Sequence, residues 1–587
     1  MGVIYGYISL TDKPVDPAIA EAMRKANSFW EPDGDGLFVD EHAAMGSLIL
    51  FNTPEAVLEK QPIHFDDNRK VMVATARIDN RDDLCRDFGI PLSARDIYPD
   101  SYYIRLAYEK WGETCPDHLL GDWSFAVYDK TTHKLFIARE QHGIMACYYY
   151  QGADFFVFSS SLKGILCLQQ VPKKENEFKI AQILVYVNDG GPETCYLDIF
   201  RLPPAHTLTL ANKQITTNQY WNLDHVPQIR FKTDQEYIDR FRELYTEAVR
   251  CRLRSYRPVG ATLSGGLDSG SVCILASQEL AKYGKRLPAF TAVPLYEVPW
   301  PKNRIGDEGP LALALAKKLG NVDVTLCKSE NISPLLGVEI SLDVHDQPGF
   351  VILNAYWITD ILNNCKNSNL GTLLTGQSGN ATVSWPTNSL INKNKHILKS
   401  TLRFIRTKLY YTLGNWRKDF IVSEKILNNK QIINEIKNTR IITPFITKQK
   451  RLKLIKPGKD TSGERWLEKG NYYKIEVRDP TTDIRLINYL MGIPINKQFT
   501  NKRVLFNGNF QNYFPENILK AKAKGIQGVD IIEHINSEIY TNSSYNEISE
   551  ILYSYFNPIK IKKLNINSNN FLIYKTIKKY LNRLLLY

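Results

Sequence analysis

Near the middle of the chain stands Leu263-Ser264-Gly265-Gly266-Leu267-Asp268-Ser269, the stretch best equipped for chemistry. An apolar, β-prone run, 258–263, precedes it and a helix-like run, 271–282, follows, so it reads as a strand-to-helix turn. Gly265 and Gly266 let backbone amides close on an anion, Ser264 and Ser269 can donate to it, and the helix start adds positive partial charge. Such a turn suits a phosphate. Asp268 would repel polyphosphate by itself, but it is favourable as a ligand of Mg²⁺, a hard cation that bridges to phosphate oxygens. An ordinary Gly-Ser turn before a helix is the plainer alternative, and the strand-turn-helix setting weighs against it.

The string resembles the pyrophosphate loop of ATP pyrophosphatases, which cleave ATP to AMP and pyrophosphate while activating a carboxylate. No Gly-Lys-Ser/Thr follows, so it is not a Walker A loop. A second group of polar residues lies downstream: 470–480 with Glu476, Arg478 and Asp479, then Asp483-Ile484-Arg485-Leu486, Phe514-Pro515-Glu516-Asn517-Ile518-Leu519, and 524–530 with Lys524 and Asp530. Alone each would pass for a surface loop or helix cap. In this order they resemble the C-terminal half of the asparagine synthetase superfamily, especially the branch of β-lactam synthetase and the lasso-peptide macrolactam cyclases. The resemblance implies that Glu476 orients a base beside the nucleophilic amine and that Lys524 stabilises the transition state of amide closure. An amine attacking an acyl-adenylate builds negative charge on the carbonyl oxygen and the departing phosphate, so a fixed cation and a proton acceptor are the minimum equipment. It also implies that Thr262, Val293, Thr375 and Gly376 line the adenosine pocket. The loop after the fourth strand departs from the pattern: Gln377 and Asn380 stand where asparagine synthetases carry acids. Asn380 can still coordinate Mg²⁺ beside Asp268, through an amide oxygen and more weakly.

These groups need a scaffold, and the sequence places them in the second of two domains. Residues 226–587 alternate helices and strands: an amphipathic helix at 235–252, strands ending near 263, at 288–294, 323–326 and 371–376, and a helix at 311–319. That alternation implies an α/β domain with a doubly wound parallel sheet and ligands at the carboxyl ends of its strands. Residues 1–225 read instead as short alternating strands with one helix, 101–111, an α+β domain of stacked sheets. There Ala76-Arg77-Ile78-Asp79-Asn80-Arg81, Leu120-Gly121-Asp122-Trp123-Ser124, Ala138-Arg139-Glu140-Gln141-His142-Gly143 and Arg201-Leu202-Pro203-Pro204 resemble, in order, the glutaminase-like (Ntn-hydrolase-type) domain of asparagine synthetases. Members that hydrolyse glutamine use a cysteine at the processed N-terminus. Position 2 here is Gly2, which has no nucleophile, so the domain is expected to keep the fold, lose ammonia production, and serve as scaffold or docking surface.

Composition sets the outer bounds. A chain of 587 residues exceeds one ordinary core. Nine cysteines without a Cys-x-x-Cys argue for reduced thiols and a cytoplasmic protein, and no apolar stretch has the length of a membrane span. The net charge of +12 divides unevenly, with 19 Lys+Arg against 30 Asp+Glu in residues 1–200. A basic insertion, 386–460, holds 18 Lys+Arg and four acids, and the tail from Phe556 holds seven basic residues and no acid. A solvated face is the commoner meaning of such segments; an acidic peptide and nucleic acid stay open.

Three functions compete. The first is a lasso-cyclase-like ligase that adenylates an Asp or Glu side chain of a precursor peptide and closes a macrolactam on the peptide's own α-amine, with leader-binding and protease proteins as partners. The second is an asparagine synthetase using aspartate, ATP and free ammonia. The third is a non-catalytic relative that binds nucleotide or peptide.

Overall fold

The computed structural model describes residues 2–187, 190–349, 354–384, 406, 409–410, 417, 422–440, 452, 455–459, 461–494, 497, 504–519 and 524–539. The N-terminal part is built on two six-stranded antiparallel sheets. One has Val3–Ser9 between Phe155–Ser159 and Ala43–Ile49; the other has Gly121–Asp129 between Lys70–Ile78 and Lys134–Arg139. Alternation along Val3–Ser9 divides its side chains between two cores: Ile4 and Ile8 pack between the sheets with Val73, Tyr128 and Phe158, while Val3 and Tyr5 pack with Met23. Met23 belongs to the helix Pro17–Asn27, which sequence patterning missed although Asp16 caps it and proline opens it. The expected helix at 101–111 is present as Asp100–Trp111 and covers the other sheet through Tyr103, Ile104 and Ala107.

The second part opens with α1 (Asp234–Arg252), capped by a reciprocal Thr233–Glu236 box. Five parallel strands follow: β1 (Val259–Thr262), β2 (Leu287–Ala292), β3 (Val322–Cys327), β4 (Thr372–Leu374) and β5 (Glu476–Arg478), in the order β3-β2-β1-β4-β5. The chain winds outward from β1 to β3 and then returns to the other side of β1. The carboxyl ends of β1 and β4 therefore flank a topological switch point, where open parallel sheets bind ligands. Between strands lie α2 (Leu267–Ala281), α3 (Gly309–Leu319), α4 (Pro334–His345), α5 (Ala355–Asn367) and α6 (Ser462–Tyr472). Helix α2 starts four residues before the expected 271, because extended Gly266 is its N-cap and Asp268 occupies its first turn, where a carboxylate suits the dipole. The stretch 470–480 is not a surface loop: it ends α6 and forms the buried strand β5.

Part of the basic insertion is packed. The helices Glu424–Leu427 and Lys430–Arg440 bury Ile426, Leu427, Ile432 and Ile436 in the core that also holds Ile180 and Leu184, and Lys425 pairs with Glu177 at 2.6 Å. Most of the remaining insertion and the tail from Phe556 lie outside the described residues. Among the described residues no helix is long and apolar enough to cross a membrane.

Candidate active site

The phosphate loop joins β1 to α2. The Ser264 and Ser269 hydroxyls lie 2.8 Å apart, the Ser264 amide donates to Ser269 Oγ at 3.0 Å, and the Gly266 amide donates to Ser264 Oγ at 3.1 Å. Both hydroxyls are thus fixed at the mouth of α2 before any anion arrives. The loop after β4 rests directly on this turn. A Cβ on Gly376 would come within 2.7 Å of the Asp268 carbonyl carbon and the Ser269 nitrogen, and one on Gly379 within 2.5 Å of Asp268 Oδ1, so only glycine permits the approach. The Ser378 amide donates to Asp479 Oδ2 at 2.8 Å, and Thr375 donates its amide to the Arg478 carbonyl at 2.9 Å, which ties the loop to β5. Burial pushes the Asp479 carboxyl up from its ordinary value.

Thr262 ends β1, Val293 follows β2, and Thr375 and Gly376 follow β4, so the residues expected around adenosine ring the same carboxyl edge. Asp268 faces the loop bearing Asn380, which is exposed on the short helix Gly379–Thr382. One carboxylate and one amide oxygen are an adequate protein share for Mg²⁺, which takes its other ligands from phosphates and water. The sequence gave no notice of Glu308, the residue preceding α3. A Cβ on Gly525 would come within 2.4 Å of its Oε1. Burial raises the Glu308 carboxyl, while the Gly265 amide acts in the opposite sense. Glu308 therefore links the phosphate loop to the strand Lys524–Gly525, which pairs with Arg304–Ile305. Lys524 is exposed beside it. The following turn is moored by Asp530, which accepts from the Leu295 amide at 2.7 Å and the Tyr296 amide at 3.2 Å. Phe514 packs against Gly270 of α2.

Glu476 stands elsewhere. It begins β5, at the opposite end of the strand from Thr375, and is fully buried. Its carboxylate takes hydrogen bonds from Arg478 at 2.7 and 3.0 Å, from Arg77 at 3.1 Å and from Asn52, the last two belonging to the first domain. Burial alone would raise its carboxyl, but Arg478 and Arg77 oppose it, and the group is held well below the usual range. These are the contacts of a clamp between domains. A second clamp leaves α6: Glu464 accepts from Arg139 at 2.7 Å, Tyr148 at 2.9 Å and Arg201 at 3.3 Å, all from the first domain.

Around position 2 the first domain keeps a pocket lined by Leu48, Ile49, Ala74 and Thr75, with the acids Glu59 and Asp100 and no Lys or Arg among the described lining residues. Gly2 donates its amide to Thr75 Oγ1 at 3.1 Å, and a Cβ there would lie 1.6 Å from the Leu48 carbonyl oxygen.

Residues 1–221 match the glutamine amidotransferase domain, and residues 240–383 match asparagine synthase. A putative glutamine-hydrolysing asparagine synthetase 2 of Methanocaldococcus jannaschii is 30% identical over 272 residues, covering 43% of this chain and 52% of that protein. Asparagine synthetase 3 of Bacillus subtilis is 26% identical over 261 residues, covering 43% and 41%. The amidase chyE of Penicillium rubens is 25% identical over 317 residues, covering 51% and 45%. The asparagine synthetase-like chain spans about half the length of the curated relatives it matches.

Proposed function

We propose that this asparagine synthetase-like chain is an ATP-dependent amide ligase that adenylates a side-chain carboxylate of a precursor peptide and closes a macrolactam with the peptide's own amine. AMP and pyrophosphate leave. The observation that carries the reading is the pairing of the turn at 263–269 with a first domain that has glycine at position 2. Gly2 lacks a nucleophile, and a Cβ there would lie 1.6 Å from the Leu48 carbonyl oxygen. An amine supplied by the substrate removes the need for ammonia.

In this mechanism the loop amides and the hydroxyls of Ser264 and Ser269 hold the pyrophosphate portion of ATP at the start of α2. Asp268, with Asn380, would hold Mg²⁺, which supplies charge neutralisation on the phosphates when bound. The substrate carboxylate attacks the α-phosphorus, the bond to pyrophosphate breaks, and the amine then displaces AMP from the acyl-adenylate. Lys524 is the cation assigned to the charge developing on the carbonyl oxygen. Glu476 serves by holding β5 and the loop after β4 against the first domain, so its part is positioning.

Lys524→Ala should leave pyrophosphate exchange measurable and slow amide formation by about 10²- to 10³-fold, the usual consequence of losing one electrostatic stabiliser. Product formation at the unaltered rate would remove Lys524 from the mechanism. Gly2→Cys should release no glutamate from glutamine, because its side chain collides with backbone; detectable glutaminase activity would contradict the scaffold role of the first domain.

The relatives' names favour a second reading, asparagine synthesis, here from free ammonia. It predicts pyrophosphate release that depends on aspartate and ammonium and is indifferent to peptide.

A further inference from the structure

Helix α6 presents two faces. Glu464 and Glu468 turn to the first domain and to α4: Tyr148 donates to both carboxylates, and Glu468 meets His345 Nδ1 at 2.5 Å. Arg465 and Lys469, one position further along, line a pocket between α4, α5 and α6 with about 540 Å³ of unfilled space open to solvent. Trp357 and Trp466 form walls, their ring centroids 6.0 Å apart, and Gln377, next to Gly376, forms the rim nearest the phosphate loop.

Lys469 is 3% exposed. Its ammonium donates to Ser341 Oγ at 2.5 Å and Thr359 Oγ1 at 3.2 Å, with the Ala355 carbonyl at 3.5 Å. Both hydroxyls have their own protons committed, Ser341 to the Gly337 carbonyl and Thr359 to the Ala355 carbonyl, so they can only accept from Lys469. The two hydroxyls therefore orient the Lys469 nitrogen as their donor, which either charge state of the amine can be. Among the described residues no carboxylate accepts a hydrogen bond from it, and burial, then Arg465, pull its pKa down to about 7. An anion entering the pocket would relieve that tension. Arg465, bound to the Pro348 carbonyl at 2.9 Å, adds a second positive charge to the lining.

We propose that this pocket anchors an anionic group of the acyl substrate other than the carboxylate that reacts, with Lys469 as its cation. The proposal rests on the ligase reading. The reacting carboxylate must meet ATP at the phosphate loop, yet none of residues 262–269 lines this pocket. The anchored group therefore sits beyond Gln377 from the bond-forming centre, and the acyl substrate is a molecule with two acidic groups, such as an acidic amino acid or a peptide with a second carboxylate.

The test uses a probe that can be anchored but cannot be adenylated. Propane-1-sulfonate and its neutral counterpart propane-1-sulfonamide are titrated into the full chain saturated with ATP and Mg²⁺, and the thermal unfolding midpoint is followed. The sulfonate should stabilise the wild type with an affinity about tenfold or more above the sulfonamide, as a buried charge pair requires. Lys469→Met should abolish that difference and leave the stabilisation by ATP unchanged; Lys469→Gln, which keeps a donor for Ser341 and Thr359, replaces it if methionine prevents folding. Equal behaviour of the two probes in the wild type, or a difference that survives the substitution, overturns the anchor. AMP formation is measured separately with 4-sulfobutanoate and an amine, and with plain carboxylates. Sulfonate binding without AMP from any of them, from peptide carboxylates or from aspartate with ammonium refutes the ligase reading alone, whereas AMP formation without sulfonate binding refutes the anchor alone.

Discussion

Asp268→Ala abolishes pyrophosphate release, with a loss of at least about 10²- to 10³-fold, the range seen when one fixed electrostatic group leaves a reaction centre. The carboxylate stands in the first turn of α2, covered by Gly376 and Gly379 of the loop after β4, so the substitution also removes packing. Asp268→Asn separates the two effects, since it keeps the shape and loses the charge. We expect the asparagine variant to unfold at the wild-type temperature, to retain stabilisation by metal-free ATP, and to lose the additional stabilisation that Mg²⁺ confers. If Mg²⁺ still adds to the effect of ATP in both variants, Asp268 is not a metal ligand and the charge balance at the loop must be drawn differently.

Glu464→Ala costs about 3–5 kcal/mol of stability, the penalty for stripping one partner from a buried ion pair. Arg139 is 1% exposed, Arg201 is buried, and both depend on this carboxylate. Burial raises the Glu464 carboxyl, but Arg201 and then Arg139 prevail and bring it to about 2. Its folded value lies below the ordinary one, so its contribution is present above the usual carboxylate range and fades as pH falls toward about 2. The unfolding midpoint of the variant should drop at pH 7 and approach the wild-type value in strong acid. An unchanged midpoint at pH 7 would show that α6 does not depend on the first domain. Because α6 also carries Arg465 and Lys469, the clamp to the first domain fixes the helix that lines the pocket between α4, α5 and α6.

The phosphate loop was legible because its chemistry is local. Two glycines, two hydroxyls and an acid within six positions, between an apolar run and a helical one, need no distant partner to be recognised. The parallel sheet followed from alternation, and the stacked sheets of the first domain from strand periodicity. Glu476 shows where such reasoning stops. The resemblance implied that it orients a base beside the amine; its contacts with Asn52 and Arg77, some 400 positions away, are ones that only the folded chain brings together. Lys469 was hidden for a related reason: its segment reads as a loop beginning at Gly470, and the three helices that bury it are joined only in space. Glu308 precedes α3 without forming a motif, and its meeting with Gly265 and Gly525 is equally nonlocal.

The central claim is that ATP is split at its α-phosphate to activate a peptide carboxylate for ring closure. It is tested most directly by incubating the full chain with ATP, Mg²⁺ and a peptide that carries a free α-amine and an acidic side chain within ring-closing reach, then measuring nucleotides and peptide mass together. The account predicts AMP and pyrophosphate in step with a peptide lighter by one water. AMP formation that requires aspartate and ammonium and ignores the peptide, or ADP and phosphate in place of AMP and pyrophosphate, would contradict it.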